Sequence, residues 1–68
     1  MSQFAEELKR WRSRMRLTQE QAAQRLDVAV ASIRDWEQGR AQPGTPGPVR
    51  KVMKQLLEEA KSETKSHG

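Results

Sequence analysis

At 68 residues with 34% hydrophobic content, the chain holds one small domain that buries only about 60% of the surface its unfolded form exposes, which leaves no room for a large substrate cavity. The absence of cysteine and the presence of a single histidine, His67, remove disulfide staples and Cys/His metal sites. A formal charge of +4, from 13 Lys and Arg against 9 Asp and Glu, is permissive of a phosphate-rich partner without specifying one.

In chain order, Ser2 is placed to cap a helix over residues 2–15, whose apolar positions Phe4, Leu8, Trp11 and Met15 recur every three or four residues and line one face. Lys9, Arg10, Arg12, Arg14 and Arg16 read most simply as a solvated basic face. Thr18 with Gln21 three residues on, and Leu17 just before, has the form of a capping box, which starts a second helix at Gln19. That helix runs about two turns to Leu26 and turns Ala22, Ala23 and Leu26 inward.

Asp27 and Val28 interrupt the pattern. It resumes over residues 29–38 with Val30, Ile33 and Trp36 at helical spacing, and Gly39 is a strong C-terminal stop. Residues 42–48 form a loop rich in proline and glycine, and either Pro46 or Pro48 suits the first position of a final helix. Val49, Val52, Met53, Leu56, Leu57 and Ala60 make that helix the most clearly amphipathic segment of the chain. The domain is expected over residues 1–60, with a polar, frayed tail over residues 61–68. No strand pattern and no internal repeat are present. The fold class is therefore all-α with four helices, five being the alternative.

Residues 19–38 form one unit. Two helices joined by a tight turn at roughly 90–120° need a small residue where their axes cross, here Ala23, and apolar contacts on both sides, here Leu26, Val28 and Ile33. This is the pattern of a helix-turn-helix, in which the second helix is lifted out of the body and is free to enter a major groove.

The runs Leu17-Thr18-Gln19-Glu20-Gln21-Ala22-Ala23-Gln24-Arg25-Leu26 and Ile33-Arg34-Asp35-Trp36-Glu37-Gln38-Gly39-Arg40 resemble the Cro/cI-type repressors, also called Xre-type regulators, over roughly residues 4–57. With its proline loop and Gly47-Pro48-Val49, the chain is similar to small antitoxin-type members. The resemblance implies a lambda-repressor-like DNA-binding domain with a central helix-turn-helix, acting as a transcriptional repressor. Its partners would be a double-stranded operator of near-palindromic sequence and a second copy of itself. An antitoxin that neutralises a toxin protein, with DNA binding as autoregulation, is the alternative.

Carried over residue by residue, the resemblance gives Gln19 a phosphate contact that also braces the third helix. It turns Val30, Ala31, Arg34 and Asp35 toward DNA, with Ala29 and Ser32 at the margin, and puts Arg40 on phosphate. The chemistry suits these positions: Arg34 can pair with guanine O6 and N7, Ala31 or Val30 can meet a thymine methyl, and Asp35 can accept from cytosine N4. Asp35 can equally pair with Arg34 or Arg25 and only orient them. Arg14 and Arg16 are further phosphate candidates. The sequence departs from the family at Asp27, where glycine is usual, and in its single helix after the loop. Met53, Leu56, Leu57 and Ala60 are the candidate dimer seam, although Met53 reads equally as core filler, its flexible thioether suiting an imperfect gap.

Other residue types carry plainer readings. Trp11 and Trp36 lie in register with core residues and are expected to be packed rather than stacked on bases. The acidic pairs Glu6-Glu7 and Glu58-Glu59 diverge around their helices, and no nucleophile stands beside a base, so no catalytic activity is expected. No metal and no cofactor are called for. With no apolar run near the roughly 20 residues that span a bilayer and none after Met1, the expected location is the cytoplasm.

Overall fold

The computed structural model describes residues 3–66, with side chains through Lys61. Its elements are four helices: α1 (Gln3–Met15), α2 (Gln19–Leu26), α3 (Val30–Gln38) and α4 (Pro46–Ser66). Ser2 and His67 lie outside the described residues.

Phe4, Ala5, Leu8 and Trp11 are buried along one face of α1, as their spacing requires. The helix stops because Arg16 turns into the left-handed region at φ 57°, which lets the Leu17 N–H reach back to the Arg12 carbonyl at 3.0 Å. Thr18 then caps α2: its Oγ1 accepts from the Gln21 N–H at 3.1 Å, and Gln21 Oε1 accepts from the Thr18 N–H at 2.9 Å. Asp27 ends α2 in the left-handed region at φ 58° and ψ 48°, doing the work of the missing glycine. Gly39 ends α3 in the same way at φ 78°, where a side chain would be strained.

The two left-handed side-chain-bearing residues make a prediction about stability. A non-glycine residue there costs roughly 1–2 kcal/mol, part of which returns as lost unfolded-chain freedom. Arg16→Gly is expected to raise stability by about 0.5–1 kcal/mol, visible as a melting temperature a few degrees higher. A lower melting temperature would show that the Arg16 side chain holds the turn.

The core is a single cluster of Phe4, Leu8, Trp11, Ala22, Ala23, Ile33, Trp36 and Met53, drawn from all four helices. Ala22 and Ala23 are almost fully buried, and their small size lets α2 and α3 approach closely where they cross. Phe4 meets Trp36 edge to face, with ring centroids 5.7 Å apart and planes at 82°. Both tryptophans are therefore structural, and Trp11 Nε1 spends its donor on the Met53 carbonyl at 2.8 Å. Arg50 fastens α4 to α1: its Nε donates to Glu7 at 2.6 Å, and its guanidinium lies 5.7 Å from the Phe4 ring centroid.

Three features differ from the expectations. Arg12 is not part of a solvated face, because its guanidinium is paired with the buried Glu37. Met53 is part of the chain's own core at 5% exposure, so it is spent inside one copy rather than held for a second. The polar stretch from Lys61 continues α4 as helix through Ser66. Lys61, Glu63 and Lys65 are good helix formers, and once a helix is nucleated each added residue, the weaker formers Ser62, Thr64 and Ser66 included, costs little.

Candidate nucleic-acid interface

The interface is built from the way α2 and α3 are joined. The capping box fixes where α2 begins and Asp27 fixes where it ends, so the turn to Ala29 is short and the crossing is set by Ala22, Ala23 and Ile33. Val28 is pinned within this turn by its N–H, which donates to the Ala23 carbonyl at 2.9 Å. With Ile33 and Trp36 turned inward, Ala31 and Arg34 on the same helix are exposed.

A polar network locks this pair to α1. Arg12 Nε donates to Glu37 Oε2 at 2.7 Å and Arg12 Nη2 donates to Oε1 at 3.1 Å, a bidentate fork between α1 and α3. Gln19 Nε2 donates to the same Oε1 at 3.2 Å, which brings in the first turn of α2. Arg12 Nη1 donates to the Leu17 carbonyl at 3.1 Å and so also satisfies the chain between α1 and α2. Glu37 is only 6% exposed, and its pairing meets the demand that a buried charge be both matched and hydrogen-bonded.

Beside this network lies an open groove of about 550 Å³ lined by Arg12, Thr18, Gln19, Glu20, Val30 and Arg34. It brings together three of the residues expected at DNA: Gln19, Val30 and Arg34. Gln19 is half-buried and its amide is oriented by Glu37. Val30 is half-buried and packs partly on the core, so only part of its side chain faces outward.

Ala29 and Ala31 are exposed, whereas Ser32 and Asp35 are half-buried. Among the described residues the ion pairs are Lys9–Glu6, Arg12–Glu37 and Arg50–Glu7, so the Asp35 carboxylate is joined to neither Arg34 nor Arg25. Its carbonyl accepts from the Arg40 N–H at 2.9 Å, which fixes the backbone from which the exposed Arg40 side chain extends.

The remaining basic candidates separate. Arg16 is exposed in the turn just before Thr18, near the groove's rim in sequence. Arg14 lies instead along a notch between α1 and α4, with Glu7, Arg10, Trp11 and Leu57. Of the residues considered for a dimer seam, Leu56 and Leu57 are half-buried against the core, Ala60 is half-buried, and Met53 is interior.

Sequence reasoning missed Arg12 and Glu37. A signal was present: Glu37 stands four residues after Ile33, and Arg12 four after Leu8, so both continue apolar stripes that face the interior. It also gave no role to Glu20, an acid on the groove's rim.

Among the described residues no helix is long and apolar enough to cross a membrane. No significant match was found among curated proteins or solved structures. A family model described as a helix-turn-helix domain matches residues 3–57, which spans α1 through the core-contacting part of α4. The tight α2–α3 turn, the exposed outer side of α3 and this match agree: the chain belongs to the helix-turn-helix domain family, a DNA-binding fold.

Proposed function

We propose that this protein is a sequence-specific transcriptional repressor that binds a near-palindromic double-stranded operator as a homodimer, with α3 in the major groove. The observation that carries the reading is the outer face of α3. Arg34 and Ala31 are exposed there beside a groove walled by Gln19, on a helix whose inner face is fully committed to the core.

The chemistry divides naturally between positioning and reading. Gln19, Arg40 and Arg16 reach for phosphate, which fixes the register of the duplex without reading sequence. Ala29 provides no side-chain cap to α3, so while the Ser32 N–H is taken by the Ala29 carbonyl at 3.0 Å, the Val30 and Ala31 amides face the helix end where an anionic oxygen is favoured. Arg34 reads guanine, while Ala31 and the outer edge of Val30 meet a thymine methyl. Asp35 and Ser32 are half-buried at the margin and accept or donate to neighbouring base edges. A single short helix gives limited affinity, which is why two copies on half-sites about 34 Å apart are needed. The cytoplasm, where such an operator is reached, is the corresponding location.

Selection of duplexes from a random library, followed by footprinting, tests this reading. Enriched sequences with two-fold symmetry and protection of both halves are expected. Enrichment of an asymmetric single site, or none, would contradict it. Arg40→Ala is expected to weaken binding to all sequences alike and to reduce the slope of log affinity against log salt by about one. A loss confined to the selected operator would move Arg40 from phosphate to a base.

A further inference from the structure

α1 and α4 lie side by side and run in the same direction: Glu7 meets Arg50, Trp11 meets the Met53 carbonyl, and further on Leu57 lies with Arg10 and Arg14. Between the two helices is an open notch of about 150 Å³, lined by Glu7, Arg10, Trp11, Arg14 and Leu57. Its floor is apolar, because the Trp11 indole N–H is taken by the Met53 carbonyl and Leu57 is half-buried beside it. Its α1 wall is basic. Arg10 and Arg14 are exposed, about 6 Å apart along the helix axis, and neither joins an ion pair among the described residues.

The acids nearby do not neutralise that wall. Glu7 is held by Arg50, and Glu6 by Lys9. On the α4 side Lys54 and Lys61 stand three residues before and four after Leu57, both exposed, and the neighbouring acid is Glu58, grouped with Lys51, Lys54 and Gln55. An occupant must therefore be anionic, and the size and floor of the notch narrow it further. A volume of about 150 Å³ is well under the roughly 300 Å³ at which free small ligands begin to be enclosed, and suits one apolar side chain. A phosphate backbone gains nothing from an apolar floor. An acidic helix meets both demands: carboxylates four residues apart match the spacing of Arg10 and Arg14, and an apolar side chain of the same face enters the floor.

We propose that the notch between α1 and α4 docks an acidic amphipathic helix of a partner protein, anchored by one apolar side chain on Trp11 and Leu57 and by carboxylates on Arg10 and Arg14. The site lies away from the DNA-facing groove. Arg12 is two positions from both Arg10 and Arg14, hence about 200° around α1 from either, and it turns toward Glu37 and the α3 groove. Partner and duplex are therefore held at the same time. The proposal goes beyond the operator reading and does not depend on it.

Selection of random peptides of about 15 residues against the whole chain tests the site. Enriched peptides are expected to carry two Asp or Glu four apart with a Leu, Met or aromatic residue on the same face, and to shift the amide signals of Arg10, Trp11, Arg14 and Leu57. Arg10→Gln combined with Arg14→Gln is expected to weaken the best peptide at least about tenfold at unchanged melting temperature, since neither side chain is buried or paired. Replacing the peptide's apolar residue by serine should do the same, which separates a seated anchor from loose charge attraction. Arg34→Ala, or an excess of random duplex DNA, should leave peptide affinity unchanged. No enrichment, enrichment without that pattern, or binding indifferent to the two arginines would overturn the proposal. Displacement of the peptide by duplex would overturn it too, by making the notch a nucleic-acid surface. Because the selection contains no DNA, a chain that bound no duplex would sink the operator reading and leave this one standing.

Discussion

Arg12→Ala is expected to destabilise the fold by about 3 kcal/mol, a large share of what a domain of this size possesses. The substitution strips Glu37 of both guanidinium bonds while leaving its carboxylate 6% exposed, with Gln19 as the one partner it is seen to keep. The Leu17 carbonyl loses its donor as well. Glu37→Ala should cost less, about 2 kcal/mol, because Arg12 is 28% exposed and its guanidinium can return to water. Urea unfolding measures both, as a lower midpoint at an unchanged slope. If Arg12→Ala costs less than about 1 kcal/mol, the pair behaves as an ordinary surface bridge and does not lock α1 to α3. The network also holds the Gln19 amide, so a loosened pair should weaken DNA binding beyond what unfolding explains.

Arg34→Ala is expected to weaken binding to the selected operator by about 1–3 kcal/mol, while binding to random duplex changes little. Arg34 is exposed on α3 and joins no ion pair among the described residues, so its removal should leave the melting temperature nearly unchanged. Competition binding with operator and random duplexes separates the two effects. Equal losses on both would make Arg34 a phosphate clamp, and Arg34→Lys would then restore most of the affinity. For a base contact Lys is a poor substitute, because it lacks the planar fork that matches guanine.

Local signals in the sequence were read well because the forces behind them are local. The Thr18 and Gln21 capping box needs residues only three apart, and Gly39 ends α3 by its own backbone freedom. The stripes of α1 and α4 follow from helical geometry alone. Asp27 was legible for the same reason, since its left-handed conformation is set by the residue and its immediate turn.

What was not legible depended on contacts across the chain. Arg12 and Glu37 are 25 positions apart, and within a run of basic residues Arg12 looked like any solvated cation. Only its place one turn after Leu8 hinted otherwise. Met53 was ambiguous because an amphipathic stripe does not say whether the apolar partner is the same chain or another; the Trp11 indole, donating to the Met53 carbonyl, draws that turn of α4 onto α1. The helical course of residues 61–66 was missed because a polar segment with nothing to bury still continues a helix begun by its neighbours.

The most direct measurement is a map of backbone amide signals by nuclear magnetic resonance, recorded as duplex DNA is added. The largest changes are expected at Ala29, Val30, Ala31 and Arg34, with a second group at Gln19 and Arg40, while the outer face of α1 around Lys9 and Arg10 stays quiet. Changes centred on α1 or α4, with those of α3 unmoved, would mean that the helix held outward by Ile33 and Trp36 is not the one that meets the groove.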